Sequence, residues 1–236
     1  MHTEHVAVVT GGTGALGRAL VPRLLRRNFR LAITYLVPEE ARRLEDEIDI
    51  HDGHSLLRRV DCTDPEAVNR FMKETAETMG PVNVVLSLVG GWAGGRDVSE
   101  TDDVRFDRML DLNLRSAFYT MRAAVPHALA AEWGRLIAVG SRDAIETPSG
   151  QAAFNVSKAG VVALMKTLAN ELDGTSVTAN AVMPSVIDTE DTRAALPYAD
   201  YVRWPKPADI ATVLDFLASP SSGVINGATI PVYGQT

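Results

Sequence analysis

The amino-acid sequence predicts an α/β protein built on one doubly wound parallel sheet of about seven strands, with helices on both faces. Short apolar segments alternate along the chain with longer helical patterns, and this order produces parallel strands joined by helices. The first apolar segment runs directly into a glycine-rich turn and then a helix. Chemically distinctive residues follow several predicted strands, where ligands bind in such sheets.

Composition limits the class of function. A chain of 236 residues without repeats or linkers suits one α/β domain over residues 1–236. The net charge of −7 gives no basic surface for nucleic acid. A single cysteine, Cys62, excludes an internal disulfide and fits a reducing compartment. Without a secretion signal or a membrane-length apolar run, we expect a cytoplasmic protein with no membrane partner.

The first strand leads into a candidate ligand-binding turn. Residues 5–10 are apolar and β-branched, which is typical of a buried parallel strand. Residues 11–17 read Gly-Gly-Thr-Gly-Ala-Leu-Gly, and a helical pattern through Leu20, Leu24 and Leu25 follows. Glycines let the backbone approach a pyrophosphate, and the helix N-terminus offers free N–H groups. A tight turn without a ligand would fit as well, but strand, turn and helix together favour a dinucleotide site.

The alternation continues to the end of the chain. Glu39 and Glu40 follow Pro38, an arrangement that opens a helix because acids suit its N-terminal dipole. Asp64-Pro65 marks another helix start. The further strands are predicted at residues 30–35, 56–60, 82–87, 134–141, 176–183 and 227–232. The further helices are predicted at residues 41–48, 67–79, 101–131, 151–172 and 207–219.

Two histidines in the short segment 51–54 raise the question of a metal site. His51 and His54 flank an Asp-Gly pair, and no further ligands stand nearby in the sequence. Such residues are usually solvated turn residues, so we expect no metal.

The segment 141–158 carries the most distinctive residues. Ser141 is placed at the end of the fifth predicted strand, and Phe154 and Lys158 lie one turn apart on one face of the following helix. Asn113 lies inside the long predicted helix 101–131. Because Asn weakens a helix interior, its presence there predicts a polar role.

Several of these segments resemble the short-chain dehydrogenase/reductase family. Residues 10–17 resemble its T-G-x-x-x-G-x-G motif, with Ala15 in place of the middle Gly. Residues 180–189 resemble its N-x-V-x-P-G-x-I-x-T motif, with Ser185 in place of the Gly, and Gly90 matches the last position of its N-N-A-G motif. The resemblance spans essentially the whole chain. It implies a single Rossmann-like domain that binds a nicotinamide dinucleotide.

The segment 141–158 resembles the active site of that family. There, a Ser at a strand end holds the substrate oxygen, and a Tyr in Tyr-x-x-x-Lys is the acid and base for hydride transfer at a carbonyl or alcohol carbon. Ser141 and Lys158 match, and Asn113 matches a helix Asn that holds a water beside the Lys. The Tyr position holds Phe154, which cannot donate or accept a proton.

The resemblance also implies the cofactor site. It assigns Asp61 to the adenine amine, Cys62 to the adenine ring, and Ile187 and Thr189 to the nicotinamide carboxamide. The candidate cofactor residues are Thr10, Gly11, Thr13, Ala15, Leu16, Gly17, Tyr35, Asp61, Cys62, Gly90, Lys158, Pro184, Ile187 and Thr189.

The end of the second predicted strand bears on the choice between NAD and NADP. An Asp or Glu there accepts from the ribose 2′-hydroxyl of NAD, whereas an Arg binds the extra phosphate of NADP. Thr34, Tyr35 and Leu36 provide neither. Because no carboxylate stands there to repel the phosphate, the sequence slightly favours NADP over NAD.

Three explanations account for the missing hydroxyl. An engineered change from Tyr would silence an ordinary reductase. A natural Phe is compatible with redox chemistry if the proton comes from water held by Ser141 and Lys158, or from Arg142, Asp143 or Asp188. Alternatively, the fold serves a non-redox role, as a nucleotide sensor, an assembly partner, or a lyase or cyclase.

The substrate and the assembly are predicted only in outline. Two segments suggest that the substrate is a moderately apolar small molecule. One is the loop around Trp92, and the other is an insert at about residues 188–206, in the place of the family's substrate-binding segment. The candidate substrate contacts are Trp92, Arg142, Ser185 and Trp204, although packing of Trp92 under its own loop and of Trp204 on the surface fits the sequence as well. Helices 101–131 and 151–172 are expected to pair copies into a homodimer or homotetramer, although packing on the chain's own sheet would give the same pattern.

Overall fold

The computed structural model describes residues 4–48 and 54–235, and its core is one parallel sheet. The strands β1 to β7 are His5–Thr10, Phe29–Tyr35, Ser55–Arg59, Val82–Ser87, Gly134–Val139, Val177–Pro184 and Thr229–Val232. Their order across the sheet is β3-β2-β1-β4-β5-β6-β7, and every neighbouring pair is parallel. The predicted fold class is therefore confirmed. The order reverses between β1 and β4, and ligands bind at such a switch point.

Helices cover both faces of this sheet. In the described ranges, α1 to α9 are Ala15–Arg26, Pro38–Glu47, Pro65–Met79, Asp103–Met109, Ser116–Ala130, Asp143–Glu146, Ala152–Glu171, Glu190–Ala195 and Pro207–Leu217. Helices α2 and α3 begin at Pro38 and Pro65, where the sequence places their start signals, and therefore extend N-terminal to the predicted ranges 41–48 and 67–79. The Asp64 side chain caps α3 by accepting from the Glu66 N–H at 2.9 Å.

Two apolar cores lie on opposite faces of the sheet. Val6 and Val8 of β1 point into one core with α3, α5 and α7. Ala7 and Val9 point into the other with α1 and α9. Successive side chains of a strand alternate between faces, and here both faces are buried. This burial explains why the strand sequences are continuously apolar.

Two predicted elements differ from the structure. The helix expected at 101–131 consists of α4 and α5 joined by a wider π-helical segment, Leu110–Arg115. The strand expected at 134–141 ends at Val139, whose carbonyl accepts a hydrogen bond from Lys158 Nζ. Ser141 therefore lies in the turn after β5 rather than in the strand.

The sequence predicts neither a metal site nor a membrane-spanning segment, and the structure describes part of the residues concerned. His51 lies outside the described residues, and His54 lies 3.6 Å from the Glu4 carboxylate. In residues 4–48 and 54–235, no three His, Cys, Asp or Glu residues form a group that could hold a metal ion. None of the helices in these ranges combines the length and the apolar character needed to cross a bilayer.

Candidate active site

The β1–α1 turn is a tight backbone cradle. Gly11 adopts φ +67°, and its N–H donates to Thr34 Oγ1 at 3.0 Å. A Cβ on Gly12 would lie 2.6 Å from the Ile33 side chain, and one on Gly17 would lie 2.3 Å from the Gly12 carbonyl oxygen. Both positions therefore require glycine, because a side chain at Gly12 would displace the Ile33 side chain and one at Gly17 would displace the Gly12 backbone.

Unsatisfied donors surround this cradle. Ala15 is the first residue of α1, so Ala in place of the family's Gly leaves the turn intact. The first N–H groups of a helix lack an intrahelical acceptor and can bind an anion. Thr10 Oγ1 is buried and has no hydrogen-bond partner among the described residues. Leu16 packs against the core beneath the cradle. These features fit a bound dinucleotide pyrophosphate.

Three elements converge beside the cradle at Lys158, Asn113 and Gly90. Asn113 lies in the π-helical segment and is 1% exposed. Its Oδ1 accepts from the Gly91 N–H, and its Nδ2 donates to the Gly91 carbonyl, both at 3.0 Å. A Cβ on Gly90 would lie 2.8 Å from Asn113 Oδ1 and 3.1 Å from Lys158 Nζ. The predicted polar role of Asn113 is thus to hold the loop after β4 against its helix.

Lys158 is a buried cation with donors to spare. Its side chain is 6% exposed, and Nζ donates to the Val139 carbonyl at 2.9 Å. Burial lowers the pKa of this ammonium to about 8, because desolvation disfavours the charged form. An ammonium has three N–H donors, so two have no acceptor in the described ranges and can serve a bound hydroxyl or water.

Phe154 lies one turn before Lys158 on α7, as predicted. Its ring is 8% exposed and packs with Met109 and Ala153, and Lys158 Nζ lies 6.0 Å from the ring centroid. This wall of the site is apolar, and the ring brings no titratable group to it.

Ser141 lies in the turn after β5. Its Oγ accepts a hydrogen bond from the Asp143 N–H at 3.2 Å, and the residue is buried. Because the oxygen already accepts a hydrogen bond, the hydroxyl proton is available to be donated to another group.

A hydrogen-bonded chain that the sequence analysis missed joins the Trp92 loop to this turn. Trp92 Nε1 donates to Gln151 Oε1 at 2.6 Å, and Gln151 Nε2 donates to Asp143 Oδ2 at 2.7 Å. The Gly95 N–H donates to the Gly150 carbonyl at 2.7 Å and holds the same loop. Gln151 precedes Phe154 by three residues, a helical spacing that could have marked it.

The three predicted alternative proton donors differ in their surroundings. Arg193 contacts both carboxylate oxygens of Asp188, at 2.5 and 2.8 Å, and holds the pKa of that carboxyl below its usual range. Arg142 pairs with Glu146 at 3.2 Å. Asp143 accepts from Gln151. The Asp188 carboxyl is therefore ionised near neutral pH and has no proton to donate.

The predicted adenine-side residues lie at the ends of β2 and β3. Tyr35 is the last residue of β2. Asp61 Oδ1 accepts from the N–H and the hydroxyl of Thr63 at 2.9 and 2.7 Å. Cys62 is buried 3.8 Å from Thr34 Oγ1, and burial raises the pKa of its thiol to about 11. The thiol is therefore protonated and unreactive.

The residues predicted to hold the nicotinamide follow β6. Pro184 ends this strand, and Ile187 packs against the core. Thr189 caps α8, because its Oγ1 accepts the Thr192 N–H at 3.1 Å. Ser185 Oγ donates to the Tyr233 carbonyl at 2.9 Å.

The aromatic insert forms a local cluster of its own. Trp204 and Tyr201 have ring centroids 6.5 Å apart, and the Arg193 guanidinium lies 4.3 Å from the Tyr201 centroid. Trp204 takes no part in the hydrogen bonds that link Trp92 through Gln151 to Asp143 in the Ser141 turn.

The fold brings a carboxylate to the glycine-rich turn, although the sequence places none at the end of β2. Thr13 Oγ1 donates to Glu40 Oε2 at 3.1 Å. Glu40 lies in the first turn of α2, as predicted. The sequence-based preference for NADP considered the end of β2 alone and did not take this contact into account.

Comparisons with known proteins place the chain in one family. It matches the short chain dehydrogenase family over residues 5–197. It is 33% identical over 240 residues to the 3-oxoacyl-acyl-carrier-protein reductase MabA of Mycobacterium tuberculosis, and the match covers 96% of this chain and 90% of that protein. It is 29% identical to the dehydrogenase subunit BbsD of Thauera aromatica, over 98% of this chain and 96% of that one. A short-chain dehydrogenase/reductase structure from Serratia marcescens superposes with a TM-score of 0.90 at 30% identity, over 98% and 97% of the two chains. The chain therefore belongs to the short chain dehydrogenase family.

Proposed function

We propose that the protein is an NAD(P)-dependent oxidoreductase acting on a carbonyl or alcohol group of a small organic substrate. The observation that carries this proposal is the convergence of Lys158, Asn113 and Gly90 beside a glycine cradle that fits a pyrophosphate. Membership of the family, and relatives named as a reductase and a dehydrogenase, support the same class of reaction.

The residues that would hold the cofactor follow from the geometry. When bound, a nicotinamide dinucleotide supplies or accepts the hydride. The free N–H groups at the start of α1 bind the pyrophosphate. Of the two remaining donors of Lys158, one would bind a ribose hydroxyl and the other would hold a water, and Asp61 and Cys62 would border the adenine.

Phe154 occupies the position of the family's acid and base, so this chain must obtain its proton elsewhere. General acid–base catalysis is typically worth about 10²- to 10⁴-fold in rate. We assign the proton to a water held between Ser141 and Lys158. The Ser141 hydroxyl donates to the substrate oxygen. Lys158, with a pKa of about 8, can return a proton to that water near neutral pH.

The substrate binds next to the Trp92 loop. Trp92 is 57% exposed and is held by Gln151 at the edge of the site, where its ring can cover a moderately apolar molecule.

The chain works as one domain over residues 1–236 in the cytoplasm. Its insert at 188–206, with Trp204, together with Arg142 and Ser185, completes the substrate pocket.

A second candidate function is a non-redox role for the same pocket. The buried, purely apolar Phe154 ring favours it, because this side chain cannot perform the family's proton transfer. The protein would then be a dinucleotide-binding sensor, or a lyase or cyclase that uses the pocket. The codon at position 154 of the source gene separates an engineered Phe from a natural one.

A paired assay tests the proposal. Oxidation of NADH and NADPH is followed by absorbance with ketones, quinones and 3-oxoacyl thioesters, the last because MabA is a 3-oxoacyl reductase. Phe154→Tyr is expected to be about 100-fold faster than the unaltered protein or more. Phe216→Tyr, the same change at a 49% exposed position on α9, is the matched control and should leave the rate unchanged.

The other outcomes are also informative. Equal rates for the unaltered protein and Phe154→Tyr would show that the site already has an efficient proton donor. Absence of both turnover and cofactor binding would contradict the oxidoreductase proposal. Substrate loss without any cofactor would establish the lyase or cyclase alternative.

A further inference from the structure

The contact between Thr13 and Glu40 joins the glycine-rich turn to α2. Thr13 is 2% exposed, and its hydroxyl donates to Glu40 Oε2 at 3.1 Å. A carboxylate accepts about four hydrogen bonds through its two oxygens. This contact therefore orients Glu40 at the cradle and leaves most of its acceptor capacity unused.

Glu40 differs from its neighbour Glu39 in its surroundings. Glu39 is exposed and lies 3.9 Å from Arg42. Glu40 is half-buried, and within the described part of the chain no Lys, Arg or His side chain forms an ion pair with it. A carboxylate that is partly removed from water and unpaired gains from a neutral hydrogen-bond donor and strongly opposes a second anion.

We propose that Glu40 is a specificity-determining residue that makes this protein select NAD(H) over NADP(H). The inference rests on the proposed function. The adenosine ribose of a dinucleotide lies next to the glycine-rich turn of such folds, and an acid there accepts from its 2′-hydroxyl. Glu40 provides that acceptor from helix α2 rather than from the end of β2. Its charge also repels the 2′-phosphate of NADP(H).

The cations nearby do not reverse this preference. Arg59 Nε donates to the Leu36 carbonyl at 3.3 Å, next to the end of β2. Arg59 is therefore the side chain best placed to attract a phosphate. It is exposed, so water and salt screen its charge more than that of the half-buried Glu40.

A purely structural role for Glu40 makes different predictions. A second link, Arg18 to Glu47 at 2.9 Å, also ties α1 to α2. If Glu40 only positions α2, neutralising it weakens both cofactors equally, and neutralising Glu47 does the same. If Glu40 sets specificity, only its own replacement changes the ratio of the two affinities.

The experiment measures binding rather than activity. NADH and NADPH are titrated calorimetrically into the unaltered protein, Glu40→Gln, and the matched controls Glu39→Gln and Glu47→Gln. The unaltered protein is expected to bind NADH about tenfold more tightly than NADPH or better, and Glu40→Gln to reduce that ratio about tenfold. Both controls should keep the ratio. Thermal unfolding of each variant checks that it is folded.

Equal or tighter binding of NADPH by the unaltered protein would overturn the inference, and loss of that binding in Arg59→Gln would assign the preference to Arg59 instead. An unchanged ratio in Glu40→Gln would also overturn it. Both results are compatible with the oxidoreductase proposal. Failure to bind either cofactor would contradict both the oxidoreductase proposal and the proposed role of Glu40.

Discussion

At the scale of single residues, the site places charge where water cannot reach it. Lys158 is buried, and burial is what lowers its pKa from 10.5 to about 8. Among the residues that the structure describes, the Val139 carbonyl is the only acceptor for the three donors of this ammonium. The buried ammonium therefore lowers the free energy of unfolding of the protein without ligand, which is common for charged groups at functional sites.

This burial predicts a pH dependence of stability. In the folded protein Lys158 loses its proton above a pH of about 8, whereas the unfolded chain keeps it up to 10.5. Between these values the unfolded state binds more protons, so the free energy of unfolding rises with pH. Urea denaturation should show the unaltered protein gaining about 3 kcal/mol relative to Lys158→Met across this window.

Lys166→Met is the control for this experiment, because Lys166 lies on the exposed face of the same helix. Its difference from the unaltered protein should stay constant with pH. Parallel curves for Lys158→Met and the unaltered protein would refute the depressed pKa.

At the scale of elements, Gly17 and Gly14 of the β1–α1 turn differ in how much space a side chain would have. A Cβ on Gly17 would lie 2.3 Å from the Gly12 carbonyl oxygen, whereas one on Gly14 would lie 3.6 Å from its nearest neighbour. Gly14 also has φ −68°, which any residue can adopt. The two positions therefore require glycine to very different degrees, although both belong to the same motif.

Paired substitutions test this difference. Gly17→Ala should lower the free energy of unfolding by about 2 kcal/mol or more, because the Gly12 backbone must move away. Gly14→Ala should stay within about 1 kcal/mol of the unaltered protein. Chemical denaturation measures both, and similar losses in the two variants would contradict the geometry.

At the scale of the whole molecule, α5 and α7 cover one face of the sheet but leave apolar side chains in solvent. Phe118 of α5 is 40% exposed and Val156 of α7 is 49% exposed. These are the helices that the family resemblance assigns to pairing between copies. We therefore predict a homodimer or homotetramer in which these apolar residues are covered.

Light scattering tests the assembly. The unaltered protein is expected to have the mass of a dimer or tetramer at micromolar concentration, and the double variant Phe118→Glu with Val156→Glu should be a monomer because buried charges oppose association. Val224→Glu, at a position that is 93% exposed, is the control and should keep the oligomer. A monomeric mass for the unaltered protein would disprove the prediction.

The sequence by itself determined the sheet, the glycine-rich turn and the spacing of Phe154 and Lys158. These features depend on local patterns: continuous apolar runs for doubly buried strands, glycines where the backbone turns tightly, and four residues for one helical turn. The strand boundaries at Val139 and the π-helical segment around Asn113 were not predicted, because hydrogen bonds from Lys158 and to Gly91 decide them.

Only the tertiary structure decided which distant side chains meet. Glu40 was correctly predicted to open α2, but its contact with Thr13 exists because α2 packs beside the turn after β1. Gln151 likewise contacts Trp92 across 59 positions of sequence. Periodicity predicts the face on which a side chain lies, whereas its partner depends on how the elements pack together. The position of the Trp92 loop, and the Thr13–Glu40 contact on which the proposed cofactor preference rests, are therefore properties of the fold rather than of any motif.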